Sequence, residues 1–521
     1  MATKNHPEGV ANAATARRVL ALLRATALPG LVFATLVPAP RLAAAQHRPT
    51  FADLAVAPAT MARRREAADK LTAALNATLD KTKNSGTWGV IVVSLTNGDT
   101  LFDRNPDRQL LPASTMKLFT SALALDRFGP NGRFETQVLR TGTIRADGTL
   151  DGDLILRGAG DPTLGGLPVN DQAALPMAVL ARSVANAGIK HVSGALIGDA
   201  SGFDDGKVPD GWRKRYLNAS YAARVSALSF NENKITILVR PDGKRAAVSF
   251  RPAISGVDLF NDVKLVSGSR SARIRVSQDS VAGRIKISGW IGTQSDERDY
   301  RLVVENPELF AAGALRAALE AEGIKIDGPA RIGQPRDSAT PVASLPSPTL
   351  DRIIGQMNGE SNNHFAELLF RNASRSAGTR GSAEGANSML GKFLSDKVHV
   401  AADAVFAADG SGLSTLDRVT PRAMVQLLGY VRQASWGSVL EGSLPVAGQT
   451  ETLRRRMRRT AAMGNLHAKT GTTNDVASLG GYVTAGNGED LAFSVIYNGS
   501  DRWRARDAID RIGVTLATFT R

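Results

Sequence analysis

Three groups of side chains in this 521-residue sequence could serve one reaction. Ser114 and Lys117 follow Pro112 and stand three apart, and Leu118, Ala122 and Leu125 continue at helical spacing. Hydroxyl and amine therefore share one face of a helix's first turn. A serine beside an amine at the positive end of a helix is a nucleophile with its base. Far downstream, Ser361-Asn362-Asn363 opens a second helical pattern, and Lys469-Thr470-Gly471-Thr472 precedes a strand-like run from Val476. One mechanism uses them all. Ser114 attacks an amide carbonyl while a neutral Lys117 takes its proton. Ser361 hands the proton to the leaving amine, and Asn363 orients Lys117 and the substrate amide. Lys469 supplies a cation that depresses the Lys117 pKa. With Thr470 it also holds a terminal carboxylate. Backbone N–H groups of Ser114 and Thr472, the latter just after Gly471, form an oxyanion hole.

The bland reading makes Lys117 and Lys469 solvated amines and the serines helix caps. Ser229-Phe230-Asn231 shows how cheaply a Ser-x-Asn triplet arises, and no helical pattern follows it. Order and context, rather than any one triplet, carry the argument.

The elements that must position these groups can be read from periodicity. Residues 61–82 predict a helix, and Trp88 to Phe102 around Asn97-Gly98 predicts a β-hairpin that feeds the Ser114 helix. From about Glu135 to Glu305, short strand-like runs alternate with Gly, Asp, Asn and Pro turns. Helical patterns at 175–187 and 307–322 interrupt or follow them. Residues 334–349 read as a linker. Helical patterns then resume at 350–357, 363–375, 384–396 and 421–433, strands at 476–484 and 491–497, and a last helix from Arg502 that packs on the sheet.

Composition sets the outer limits. The chain is 43% hydrophobic and 22% charged, an ordinary globular balance, and has no cysteine. Its six histidines are scattered without zinc-helix pairing, so no metal and no other cofactor is expected. A net charge of +15 favours an anionic partner, with at most peripheral membrane contact. No nucleic-acid module accompanies it, and the Arg454–Arg459 cluster reads as a solvated helix face. Basic residues before an apolar run at 19–37, and Ala43-Ala44-Ala45 after it, predict a cleaved export signal over 1–45 and a periplasmic or otherwise exported enzyme.

Ser-x-x-Lys, Ser-x-Asn and Lys-Thr-Gly in this order form the penicillin-recognising serine acyltransferase set. The chain resembles the D-alanyl-D-alanine carboxypeptidase/endopeptidase family, the class C low-molecular-mass penicillin-binding proteins. The likeness extends through Gly160-Asp161-Pro162-Thr163-Leu164, Val225 to Asn233, Asp409-Gly410-Ser411-Gly412-Leu413-Ser414, Leu444 to Gly448 and Ser478 to Val483. It implies an α+β fold whose transpeptidase/β-lactamase-like domain (60–137 and 342–521) is split by two nested β-rich accessory domains. These are domain II (138–240 and 300–341) and domain III (241–299). It implies a serine DD-peptidase that cleaves peptidoglycan stem peptides through an acyl-enzyme on Ser114 and is inhibited by β-lactams. The catalytic residues expected are Ser114, Lys117, Ser361 and Asn363, and the substrate-binding ones Lys469, Thr470, Gly471 and Thr472. A serine β-lactamase or esterase with the same motifs, and a non-catalytic envelope-binding protein, are the alternatives. One departure stands out: family members often carry an acid shortly after a Gly-Trp pair, for an amine of the substrate, whereas Gly211-Trp212 precedes Arg213-Lys214-Arg215. A carboxylate or amidated group is expected there instead.

Overall fold

The hairpin after the first helix lays down the edge of the principal sheet. In this computed structural model, which describes residues 58–165, 176–256, 258–278, 284–334 and 338–521, that helix spans Pro58–Leu79. The export-signal segment lies outside the described residues. Gly86–Ser94 pairs with Thr100–Arg104 across the Asn97-Gly98 turn. The chain's last strands complete a five-stranded antiparallel sheet. Its order is Thr100–Arg104, Gly86–Ser94, Asp490–Gly499, Val476–Thr484 and His467–Thr472. Its centre is apolar on both faces, so each face needs a cover. The helices Pro58–Leu79 and Arg502–Thr518 cover one, through Leu75, Leu79, Ile509, Ile512 and Leu516. The other packs on a helical layer whose centre is Met116–Phe128, buried nearly all round.

A β-rich insertion separates the two halves of this sheet. It begins with the strand Glu135–Arg140 and ends with Thr340–Pro346, and the two pair antiparallel. The stretch read as a linker therefore contains a seven-residue strand. Its Pro341 and Pro346 are tolerated because it lies on the edge of a five-stranded sheet, where a missing N–H costs little. Between these gateposts the helices Pro176–Asn186 and Pro307–Ala321 bury Leu180, Val184, Leu315 and Leu319 with the sheet beneath. Two three-stranded sheets, from within Lys234–Val303, enclose a smaller core of Ile237, Val239, Ile285, Ile287 and Ile291.

The Arg454–Arg459 cluster is not a helix face. A short 3-10 turn, Glu451–Leu453, leads into a looped segment with positive φ at Met457 and Arg459. Leu453 and Met457 anchor it in the core while Arg456 pairs with Asp510 at 2.6 Å. Left-handed backbone at Met457 and Arg459 breaks any helical path through the charge run. No helix among the described residues is long and apolar enough to cross a membrane.

Candidate active site

Ser114 sits in a 3-10 turn, Ala113–Thr115, that runs straight into the Met116–Phe128 helix. Ala113, just before it, has φ 48°, a left-handed value that costs a non-glycine residue about 1–2 kcal/mol. Hydrogen bonds hold the turn: Thr115 Oγ1 and Ser478 Oγ both donate to the Pro112 carbonyl, at 2.7 and 2.6 Å. Such strain persists only where surroundings enforce it, as at functional sites.

The Lys117 amine is fully buried and satisfied by three acceptors. They are Ser114 Oγ at 3.1 Å, Asn363 Oδ1 at 2.7 Å and the Ser411 carbonyl at 2.7 Å. Burial pushes its pKa down to about 8, against the carboxyls of Asp409, Glu367 and Asp417, which pull it up. Lys469, expected from the sequence to depress it, is not among the causes of the shift; desolvation alone lowers it.

Ser361 lies between two helices, Leu350–Glu360 and Asn363–Arg375, and its φ of 58° makes the corner. Its hydroxyl accepts a hydrogen bond from the Lys469 amine at 2.8 Å. Lys469 is itself fully buried, donates also to the Thr470 carbonyl, and is driven well below its ordinary pKa by burial and then by Lys117. Thr470 Oγ1 donates to Thr452 Oγ1 at 3.1 Å. Thr452, in the short 3-10 turn Glu451–Leu453, carried no signal in sequence.

Lys469 and Thr470 belong to the strand His467–Thr472, an edge of the principal sheet that runs beside the Ser114 turn. At Gly471 a methyl group would stand 2.2 Å from Ser478 Oγ, 2.7 Å from the Pro112 oxygen and 3.0 Å from the Ser114 nitrogen. The glycine is what lets strand and turn touch. All three motifs thus converge, while Ser229 does not join them. It is buried in a turn of its own, donating to the Ser226 carbonyl and accepting from Asn233.

The Ser411 carbonyl was not foreseen as part of the site, although its turn was noted. Asp409 builds that turn: its carboxylate accepts from the N–H groups of Ser411, Gly412 and Ser414, and from the Trp212 indole at 2.7 Å. Beneath lie two more buried acids. Glu367 is pushed up to about 8 and Asp417 well above its ordinary value, each first by burial and then by Asp409.

The insertion reaches the site at several points. Asn363 Nδ2 donates to the Tyr221 carbonyl at 2.9 Å, and Asn362 Nδ2 to Glu232 at 3.0 Å. Arg213 does not simply face water. It forms a 2.8 Å ion pair with Asp475 and, with Tyr216, lines a narrow crevice that also includes Ala113, Leu413 and Thr473. Among the described residues no cluster of side chains could hold a metal ion.

Comparison with known proteins agrees with this geometry. The family model for D-Ala-D-Ala carboxypeptidase 3 (S13) matches residues 71–519. A D-alanyl-D-alanine carboxypeptidase of Actinomadura sp. (strain R39) is 32% identical over 449 residues, covering 83% of this chain and 81% of its own. The D-alanyl-D-alanine carboxypeptidase DacB of Haemophilus influenzae is 26% identical over 419 residues, 79% of this chain and 85% of its own. The crystal structure of penicillin-binding protein 4 (dacB) from Haemophilus influenzae superposes with a TM-score of 0.70 at 25% identity, over 84% of this chain and 98% of that one. The fold is accordingly the α+β transpeptidase-like one with added domains, and the protein is a serine DD-peptidase. By the extent of the family match, the chain belongs to the D-Ala-D-Ala carboxypeptidase 3 (S13) family.

Proposed function

We propose that Ser114 is the nucleophile of this peptidase and Lys117 its base. The observation that supports this most is the set of acceptors around the Lys117 amine. A neutral amine has two N–H groups and one lone pair. With the N–H groups donating to Asn363 Oδ1 and the Ser411 carbonyl, the lone pair is left to accept the Ser114 hydroxyl proton. The oxygen attacks the carbonyl of a D-Ala–D-Ala or D-Ala–diaminopimelate bond, and charge develops on the carbonyl oxygen beside the N–H groups of Ser114 and Thr472. Ser361, hydrogen-bonded to Lys469, delivers a proton to the departing amine. Water then frees the acyl group from Ser114 with the same residues working in reverse.

Lys469, Thr470 and Gly471 would receive the terminal carboxylate. An incoming anion raises the pKa of a buried amine, so the substrate itself restores the charge that binds it. The Arg213–Asp475 pair leaves no free acid in the adjoining crevice, which supports the expectation of a carboxylate or amidated group, rather than an amine, on the stem peptide's third residue. The proposed division into three nested domains places Arg213 and Tyr221 in the second of them. Peptidoglycan is the polymer acted on, β-lactams are the expected inhibitors, and a structure of the Haemophilus influenzae protein complexed with a β-lactam is in keeping with this. An exported, cell-envelope location goes with that substrate.

Ser114→Ala should abolish covalent labelling by a fluorescent penicillin, while Ser229→Ala should leave it intact. Labelling that survives the first change defeats the assignment. Fast turnover of the label would favour a β-lactamase instead. Incubation with a pentapeptide and with a cross-linked muropeptide dimer, followed by mass analysis, apportions carboxypeptidase and endopeptidase activity.

A further inference from the structure

The smaller β-module presents a face that the peptidase reaction does not use. Its sheet consists of Leu259–Val266, Ile285–Gly292 and Ala272–Gln278, with Ile285–Gly292 in the middle. Side chains alternate across a sheet, and one set here (Ile285, Ile287 and Ile291 with Val263 and Ile274) packs into the module's core. Pairing register fixes what stands on the other face. Lys264 and Arg273 flank Trp290 from either side, directly opposite it. Phe260 stands opposite Lys286, whose amine lies 5.5 Å from the ring centre, and Arg275 stands opposite Ser288.

The face therefore carries four cations (Lys264, Arg273, Arg275 and Lys286) against one carboxylate, Asp262, which pairs across to Ser288. All four cations are exposed, and among the described residues none has a carboxylate within ion-pair distance. Two large apolar side chains stand out beside them, Phe260 at 48% and Val266 at 40% exposure. A soluble polyanion would need the cations alone. Exposed apolar groups among cations on a sheet face suit a surface that is anionic outside and apolar just beneath.

We propose that this face docks the enzyme peripherally on anionic phospholipid. The cations meet the headgroups, and Phe260 with Val266 enters the interfacial layer. Each cation near such a surface contributes about fivefold to partitioning, and salt screens the attraction.

The test is co-sedimentation of the full chain with vesicles of phosphatidylglycerol mixed equally with phosphatidylcholine, against vesicles of phosphatidylcholine alone. Wild type should bind the anionic vesicles selectively and lose most of that binding in high salt. The double variant Arg273→Glu/Arg275→Glu should lower anionic partitioning at least about 25-fold, and Phe260→Ser should weaken it without altering its salt dependence. Fluorescent-penicillin labelling should be unchanged in both, which reports an intact fold. The proposal is overturned by equal binding to neutral vesicles, or by a charge-reversed double variant that labels normally and binds as wild type. Binding to soluble polyphosphate that is as strong as to vesicles and indifferent to Phe260→Ser also overturns it, and makes the face a polyanion site.

Discussion

A lysine can serve as a base only when it has shed its proton, and in this site burial does most of the shedding. Free in water the Lys117 amine would hold its proton to about pH 10.4. Enclosed as it is, it releases it at about 8. The sign follows directly: below that value the proposed base is ammonium and cannot accept the Ser114 proton, and above it the proposed base is competent. Acylation by a penicillin, followed as a second-order rate against pH, should therefore rise roughly tenfold per pH unit up to about 8 and then level. Lys117→Ala should cost about 10²–10⁴-fold in that rate; because it also removes a group that faces the buried carboxyls of Asp409, Glu367 and Asp417, melting of the variant separates loss of the base from loss of fold. A profile that rises instead around pH 6 would assign the base elsewhere. Ser361 makes the companion case. Its left-handed φ is the geometry a glycine would relax into, yet its hydroxyl is the group held by Lys469. Ser361→Gly should lose turnover while keeping or gaining thermal stability, a split measurable by melting and by product release.

At the scale of elements, the site depends on two places where backbone meets backbone too closely for a side chain. Gly412 has φ 82°, and a methyl group on it would lie 1.8 Å from the Ala113 carbonyl oxygen. Gly412→Ala must displace either the Asp409 turn or the nucleophile turn. We expect a loss of several kcal/mol in urea unfolding, the sum of left-handed strain and overpacking, together with loss of labelling. Gly471 has ordinary strand geometry, so Gly471→Ala tests crowding alone: labelling should fall strongly while stability falls less. These contacts bear on what the sequence could disclose. Helices with strong apolar period, such as Pro421–Gln433, were legible to within a residue because one face is buried along their length. Arg245–Arg251 and Leu259–Val266 were not read as strands: both are largely exposed, and Leu259–Val266 also lacks the clean alternation that marks a strand. The Thr340–Pro346 strand was hidden by prolines that only an edge position tolerates. The site itself was legible in its side chains, which carry motif signatures. Its backbone members, chiefly the Ser411 carbonyl, carry none, because any residue type offers a carbonyl.

Across the whole molecule, the insertion braces the catalytic layer from outside. The Trp212 indole donates to the Asp409 carboxylate, the Asp409 turn presents the Ser411 carbonyl, and that carbonyl is one of three acceptors on the Lys117 amine. A residue from the β-rich block therefore bears on the base through a chain of hydrogen bonds, although it touches no substrate atom. Trp212 is 7% exposed, so its N–H has no ready substitute in water. Trp212→Phe keeps most of the ring's packing and removes only the donor. Losing a hydrogen bond to a buried carboxylate costs about 1.5–3 kcal/mol, and a carboxylate without that donor attracts the ammonium form of Lys117 more strongly. The expected result is a modest fall in unfolding free energy together with an upward shift in the rising limb of the acylation profile. The shift separates a positioning role from a purely structural one: if Trp212 only filled space, stability would fall and the profile would stay where it is. Trp212→His, which can restore a ring N–H toward Asp409, should recover part of the shift but not the lost packing.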